Sequence, residues 1–202
     1  MNREILRLAI PNILSNLSVP LLGLVDTILM GHEDQAEVML AGVGIATAIF
    51  NVIYWSFGFL RMGTTGLTAQ AFGAKDDHAS LMVLLRGLMV AFSAGVLIIA
   101  MHKLLGRGGL NLREGSPEAF AVAQSYFDIR IFAAPSTLSL YVLIGWFLGR
   151  QNAVFPMVLA IVINVVNIAA NLIFVEGYGM QEDGIALGTL IAQYTGMVMG
   201  FA

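Results

Sequence analysis

An acidic residue lies inside the first long apolar segment of this sequence. Asp26 stands in the string Gly23-Leu-Val-Asp-Thr-Ile, after Pro20 and before Gly31. If that segment is a membrane helix ending at Gly31, Asp26 lies roughly 8 Å from its outer end. A carboxyl group at that depth is costly, so it predicts an ion, proton or substrate site. The alternative is that Asp26 only reaches the membrane surface or holds a neighbouring helix.

The same segment has features of a bent helix beside a polar cavity. Pro11 and Pro20 each remove a helix hydrogen bond, and prolines commonly kink membrane helices. The residues between them include the polar side chains Asn12, Ser15, Asn16 and Ser18. We therefore expect Asn16 and Pro20 to border a substrate cavity.

A second polar set occurs in a later apolar segment. Asn164, Asn167 and Asn171 are spaced so that they share one face of a helix. One interpretation is that they form hydrogen bonds that hold helices together. The other is that they face Asp26 across a cavity, where carboxamides bind a carboxyl group or help to coordinate a cation. Thr189 is a candidate fifth member of this site.

The composition requires that these residues lie in a membrane. Of the 202 residues, 58% are hydrophobic and only 11% are charged, whereas soluble domains carry about 25% charged residues. Six apolar segments follow one another: 5–31, 39–60, 81–105, 119–149, 153–175 and 185–202. Lipid offers the backbone no hydrogen-bond partners, and segments of this length cross it as helices. The fold prediction is an all-α, polytopic transmembrane bundle, with residues 1–202 forming a single six-helix unit.

The sequence between the segments indicates where helices begin and how the chain is oriented. Ser116 before Pro117, and also Asn152 and Asp183, are expected to cap the helices that follow. Positive charge accumulates on the cytoplasmic side of membrane proteins. A cytoplasmic N-terminus puts six basic residues inside (Arg3, Arg7, Arg61, Lys75, Arg86 and Arg150) and three outside (Lys103, Arg107 and Arg113). We predict a multi-pass protein of the inner membrane with its N-terminus in the cytoplasm.

Several function classes are excluded or disfavoured by the sequence. The net charge of −3 and the absence of a basic cluster exclude a general electrostatic nucleic-acid site. With no cysteine, the chain has no disulfide, thiolate metal site or cysteine nucleophile. It also lacks the common metalloprotease, phosphate-loop and hydrolase motifs, so we expect no enzymatic activity and no cofactor. Asp128 and Arg130 lie two residues apart in the fourth segment, and both functional and structural interpretations of them stay open.

The chain stops at residues 200–202 within an apolar run, without the usual basic or aromatic anchor. We expect it to be a fragment of a longer protein, or to have a partner that covers its last segment.

Several strings in the sequence resemble one transporter family. They are AIPNILS at 9–15, VPLLGLVDT at 19–27, MGH at 30–32, FLRMGTTGLTAQAFGA at 59–74, FDIR at 127–130 and IAQYTG at 191–196. Together they resemble the multidrug and toxic compound extrusion (MATE) family, in particular its DNA-damage-inducible F (DinF) branch. The resemblance covers the whole chain, and the strings at 19–27 with 30–32 and at 59–74 are specific when taken together.

This resemblance implies a secondary transporter of twelve helices in two six-helix lobes, of which the chain is the N-terminal lobe. Such proteins export amphipathic or cationic organic molecules in exchange for protons or sodium. The missing C-terminal lobe and the lipid bilayer are then the expected partners. The coupling ion would be the only cofactor-like component.

The resemblance also assigns residues to the site. Asp26 matches the family's proposed cation or proton site, and Asn167 and Asn171 match an asparagine and an acid four residues later. Because position 171 lacks that acid here, protons are favoured over sodium, although sodium at Asp26, Asn167 and Asn171 is the other ion considered. Thr189 and Tyr126 fall near cavity positions of the family. The resemblance extends the second helix to residue 72 and puts Arg61 inside the bundle, whereas hydropathy ends that helix at residue 60.

We therefore predict a cation-coupled antiporter for multidrug efflux. Two alternatives stay open at this stage. One is a flippase for lipids or lipid-linked sugars with a related architecture, which we expect to have more Arg and Lys in its cavity. The other is a truncated membrane scaffold that does not transport.

Overall fold

The computed structural model describes residues 36–111 and 115–201, together with Thr27 and Gly31. Within those residues every regular element is a helix, and the all-α prediction is confirmed. Apart from Thr27 and Gly31, the predicted first span at 5–31 lies outside the described residues. The same holds for three predicted site residues, Asn16, Pro20 and Asp26.

The described residues form a succession of α-helices. These are α1 (Ala36–Trp55), α2 (Gly58–Gly73), α3 (Asp77–Ala100), α4 (His102–Asn111), α5 (Pro117–Arg130), α6 (Ala134–Gly149), α7 (Val154–Leu172) and α8 (Glu182–Phe201). A 3-10 turn, Ile131–Ala133, joins α5 to α6, and a π-helical turn, Ile173–Gly177, follows α7. Within residues 36–111 and 115–201, five stretches are long and apolar enough to cross a membrane: Ala36–Gly73, Asp77–Ala100, Pro117–Gly149, Val154–Gly177 and Glu182–Phe201. They correspond to the second to sixth predicted segments.

The second span consists of two helices with a break between them. The hydroxyl of Ser56 donates a hydrogen bond to the carbonyl of Val52 (2.9 Å), and the amide of Phe57 donates to the carbonyl of Tyr54 (3.0 Å). A serine next to Phe57-Gly58 is a usual setting for a helix kink. Beyond the break α2 continues to Gly73, past the end that hydropathy alone predicts.

Side-chain caps explain where two of the predicted helices begin. Ser116 accepts a hydrogen bond from the first turn of α5 (3.2 Å), and Asn152 accepts one from the first turn of α7 (3.1 Å). The expectation that Asp183 caps the next helix is wrong. Helix α8 begins one residue earlier, and Asp183 in its first turn instead accepts a hydrogen bond from Ser125 of α5. A tertiary contact between two helices thus replaces the local cap.

Helix α6 lies at the centre of the described helices and packs against α2, α3 and α8. Gly145 and Gly149, one helical turn apart, face α2. A Cβ atom on Gly145 would lie 2.7 Å from the carbonyl oxygen of Arg61, and one on Gly149 would lie 2.8 Å from that of Thr65. Glycines at this spacing let two membrane helices approach until their backbones touch.

Helix α3 packs closely against α6 at Gly95, and this contact predicts how a larger side chain at that position changes the stability of the protein. A Cβ atom on Gly95 would lie 2.6 Å from the backbone nitrogen of Pro135, and a proline backbone at a helix start has little room to move. We expect Gly95→Ala to lower the free energy of unfolding by about 1–3 kcal/mol. Gly44→Ala is the matched control, since no atom of the described residues outside its own helix lies within 4 Å of the added methyl group.

Circular dichroism during thermal or detergent-titrated unfolding measures both variants. A Gly95→Ala protein as stable as Gly44→Ala would contradict the close packing of α3 on α6.

Candidate functional site

The asparagines of α7 and the threonine of α8 form a continuous chain of hydrogen bonds, here called the amide relay. The Asn171 side-chain amide donates to the Oδ1 atom of Asn167 (3.0 Å), and the Asn167 amide donates to the hydroxyl of Thr189 (3.1 Å). That hydroxyl in turn donates to the carbonyl of Ile185 (3.0 Å). The structure thus brings together three of the five residues predicted to bind a cation or proton.

The amide relay is closed off from its surroundings. Asn167 and Asn171 are 1% and 0% exposed, and Thr189 is 9% exposed. Gly188 on α8 allows the Asn171 side chain to pack directly against the helix backbone, because a Cβ atom at position 188 would overlap the side-chain oxygen of Asn171. Buried polar groups of this kind are stable only while their hydrogen bonds are made. Asn167 and Asn171, one helical turn apart, therefore stabilise each other through their shared hydrogen bond.

Asn164 has the same type and helical face as the relay asparagines but is not bonded to them. Among the residues that the structure describes, its buried side-chain nitrogen has no hydrogen-bond partner. An unsatisfied buried donor costs about 1–3 kcal/mol. Residue spacing therefore predicts the shared face but not which of the three amides are joined.

The other predicted site residues lie apart from the amide relay. Tyr126, on α5, is 3% exposed, and its hydroxyl accepts a hydrogen bond from Arg130 (3.0 Å). Arg61, on α2, has an exposed side chain. Asp26 lies outside the described residues. Its neighbour Thr27 accepts a helix-type backbone hydrogen bond from Gly31 (2.9 Å).

Arg130, whose role the sequence left open, is the centre of a polar cluster. Its guanidinium donates to Tyr126 on its own helix and to the hydroxyl of Thr47 on α1 (3.3 Å), and it stacks 4.9 Å from the ring centroid of Phe50. Tyr126 and Arg130 are four residues apart, so their contact was readable from the sequence. The contact with Thr47 was not, because 83 positions separate the two residues.

The described residues contain no group of three or more His, Cys, Asp or Glu side chains that could hold a metal ion. What the amide relay offers is neutral: carboxamide and hydroxyl groups linked by hydrogen bonds. Such groups can stabilise or orient a nearby carboxyl group.

The MatE family profile matches residues 11–173 of the sequence. The chain belongs to the MatE family. This confirms the resemblance drawn from the motifs. The matched residues include both asparagines of the amide relay and the α1–α2 break, while Thr189 lies beyond them.

Relatives of known description support the same family. Over 199 residues the chain is 40% identical to DNA damage-inducible protein F of Escherichia coli, covering 98% of this chain and 43% of that protein. It is 31% identical over 199 residues to human multidrug and toxin extrusion protein 1, covering 96% of this chain and 34% of that protein. The chain therefore spans less than half the length of these relatives.

Solved structures show the same fold. A multidrug resistance MATE family transporter in an outward-facing conformation matches with a TM-score of 0.86 and 24% identity, over 98% of this chain and 43% of that one. A MOP superfamily transporter from Pyrococcus furiosus matches with a TM-score of 0.87 and 24% identity, again over 43% of its length. This MatE chain thus has the helical architecture of about half a transporter.

Proposed function

We propose that this chain is the N-terminal lobe of a secondary active antiporter that exports amphipathic or cationic organic compounds. The observation that carries the proposal is the buried amide relay in a chain of the MatE family. A transporter of this kind needs a polar site within the membrane, and that site must respond to an ion. The missing C-terminal lobe, the bilayer and a small organic substrate are the partners in this proposal.

The relay and Asp26 are expected at a similar depth. Thr189 lies seven residues into α8, about 10 Å along that helix. With the N-terminus in the cytoplasm, α8 begins on the outer side, and Asp26 lies roughly 8 Å from the outer end of its predicted span. We infer that the relay is the partner of the Asp26 carboxyl group.

Protons are favoured over sodium as the coupling ion in this proposal. The oxygen atoms of Asn167 and Thr189 each already accept a hydrogen bond within the relay. A sodium ion needs several oxygen ligands at once, and oxygens that already accept hydrogen bonds are weaker ligands for it, whereas a carboxyl group takes up a proton without any metal ligand. Position 171, where the family resemblance implies an acid, is an asparagine here and adds no negative charge to hold sodium.

The mechanism that we propose has two states. Burial disfavours the charged form of a carboxyl group, so Asp26 takes a proton when its cavity is open to the outside. Protonation turns the Asp26 carboxylate, the inferred partner of the amide relay, into a neutral carboxylic acid. This change favours the state that releases substrate outward. Loss of the proton to the cytoplasm restores the first state. A coupling ion shifts such an equilibrium only through different affinities for the two states.

Reconstitution of the complete protein tests the coupling ion. Vesicles loaded with a fluorescent organic cation receive an imposed proton gradient, an imposed sodium gradient, or neither. We expect the proton gradient alone to drive efflux above the rate of protein-free vesicles. Efflux driven by sodium and indifferent to protons would overturn the choice of ion. No efflux under any gradient would overturn the antiporter itself.

A further inference from the structure

A cavity of about 460 Å³ lies where α6 ends and α7 begins. Its volume falls in the range of small-molecule sites, about 300–1,000 Å³. The proposed transport mechanism uses none of the residues around it. The wall combines polar residues with apolar ones of α7: Arg150, Gln151 and Asn152, and Val154, Phe155 and Val158.

The cavity lies at one end of the membrane-spanning stretches. Pro117–Gly149 ends beside it, and Val154–Gly177 begins there. Arg150 also contacts Asp77, the first residue of the stretch Asp77–Ala100. In the predicted orientation this is the cytoplasmic end. Lipid headgroups lie just outside the hydrocarbon that such stretches cross, so the cavity wall runs from the headgroup level at Arg150 into the hydrocarbon along α7.

The guanidinium of Arg150 is held in place by its neighbours. It lies 4.9 Å from the ring centroid of Trp146 and 5.8 Å from that of Phe72. Its Nη1 atom donates a hydrogen bond to Oδ1 of Asp77 (3.1 Å), the one hydrogen bond that it makes among the described residues. The side chain is 32% exposed. Most of its N–H donors therefore remain for a ligand, and a guanidinium is well suited to phosphate oxygens.

Asp77 places a negative charge next to this cation. Its side chain is 85% exposed, and a carboxylate accepts several hydrogen bonds, so the contact with Arg150 leaves it able to bind a donor. A ligand with a negative charge alone would be repelled by Asp77, and one with a positive charge alone would be repelled by Arg150. A ligand that carries a phosphate and an ammonium group a short chain apart complements both charges.

We propose that this cavity binds a phospholipid whose headgroup ends in a primary ammonium, as in phosphatidylethanolamine. The phosphate accepts hydrogen bonds from Arg150, and the ammonium donates to Asp77. An acyl chain lies along Val154 and Val158 in the first turns of α7. The site is separate from the amide relay, since Asn167 lies 13 residues beyond Val154, about 20 Å further along the helix. It does not depend on the antiporter proposal.

Competition between phospholipids on the complete protein tests the site. The protein in detergent is mixed with equal amounts of dioctanoyl phosphatidylethanolamine, phosphatidylcholine and phosphatidylglycerol, and native mass spectrometry counts the first lipid that binds. The choline headgroup has no N–H donor, and the glycerol headgroup has no positive charge. We expect the ethanolamine lipid to exceed each of the others about fivefold, as for an ion pair at an exposed carboxylate.

Two variants separate the contributions of the two charges. Asp77→Asn is expected to remove the enrichment and to leave the glycerol lipid as the most abundant, because the repulsion of an anion is then gone. Arg150→Gln is expected to weaken binding of all three lipids about tenfold, since each carries a phosphate. Glu118→Gln and Lys103→Gln are the matched controls. Both side chains are exposed and lie at the opposite ends of their spans, so the enrichment should be unchanged.

Equal binding of the three lipids by the unmodified protein, or enrichment that persists in Asp77→Asn, would overturn the site. The Asp77 variant decides even if Arg150→Gln fails to fold, because an exposed carboxylate is replaced by an amide of the same size. Glycerophosphoethanolamine, which has the headgroup but no acyl chains, is added as a competitor. We expect it to displace no lipid at an equal concentration, and displacement would overturn the assignment of a lipid.

Discussion

Asp26→Asn is expected to reduce proton-driven efflux by the complete protein to the rate of protein-free vesicles. The substitution keeps the size of the side chain and an acceptor oxygen, but an amide neither takes up nor releases a proton. Exchange of one proton for one monovalent organic cation moves no net charge, so the pH difference drives it, with about 1.4 kcal/mol, or a roughly tenfold substrate gradient, for each pH unit. That entire gradient should be lost, while the unfolding temperature stays within the range of the unmodified protein.

Asp128→Asn is the matched control for this experiment. Asp128 is exposed and accepts a hydrogen bond from Gln124 (2.7 Å) on the same helix, so its charge has no part in the proposed site. We expect normal efflux from this variant. Undiminished proton-driven efflux by Asp26→Asn, measured with a pH-sensitive dye and a fluorescent organic cation, would refute the role of Asp26.

The second large effect concerns the centre of the amide relay. Asn167 accepts a hydrogen bond from Asn171 and donates one to Thr189. Asn167→Leu removes both bonds and leaves a buried amide donor without its acceptor. We expect the free energy of unfolding to fall by about 1–3 kcal/mol and coupled efflux to be lost.

Asn164→Leu, one turn earlier on the same helix, should have the opposite effect on stability. The buried Asn164 amide nitrogen has no hydrogen-bond partner within the described part of the chain, so an apolar side chain removes the cost of leaving that donor unpaired. We expect an increase of about 1 kcal/mol in the free energy of unfolding. Detergent-titrated unfolding and efflux are measured on both variants. Equal loss of stability in the two would contradict the hydrogen-bond chain described above.

Asn164→Leu also tests whether Asn164 belongs to the proton site. It was assigned there only because it shares a helical face with Asn167 and Asn171. A more stable protein with normal coupling would restrict the site to the residues of the relay. A more stable protein that no longer couples would assign Asn164 a role in transport.

Much of the helical architecture follows from local sequence. Five apolar segments became helices because a backbone in lipid has no other way to satisfy its hydrogen bonds. The start of α5 followed from Ser116 and Pro117, whose effects act within one turn. Motif strings were sufficient to recognise the MatE family. The shared face of Asn167 and Asn171 followed from the helical repeat alone.

Contacts between distant segments were decided by tertiary structure. Asp183 does not cap its helix but accepts a hydrogen bond from Ser125, and Arg130 donates a hydrogen bond to Thr47 on a different helix. Asn171 lies against Gly188, where a Cβ atom would overlap its side-chain oxygen, so the absence of a side chain on α8 decides how closely the two helices approach there. Residue type and spacing determine which side chains share a helix face, because the helical repeat is local. Which groups then meet depends on how whole helices pack, and single glycines set that distance.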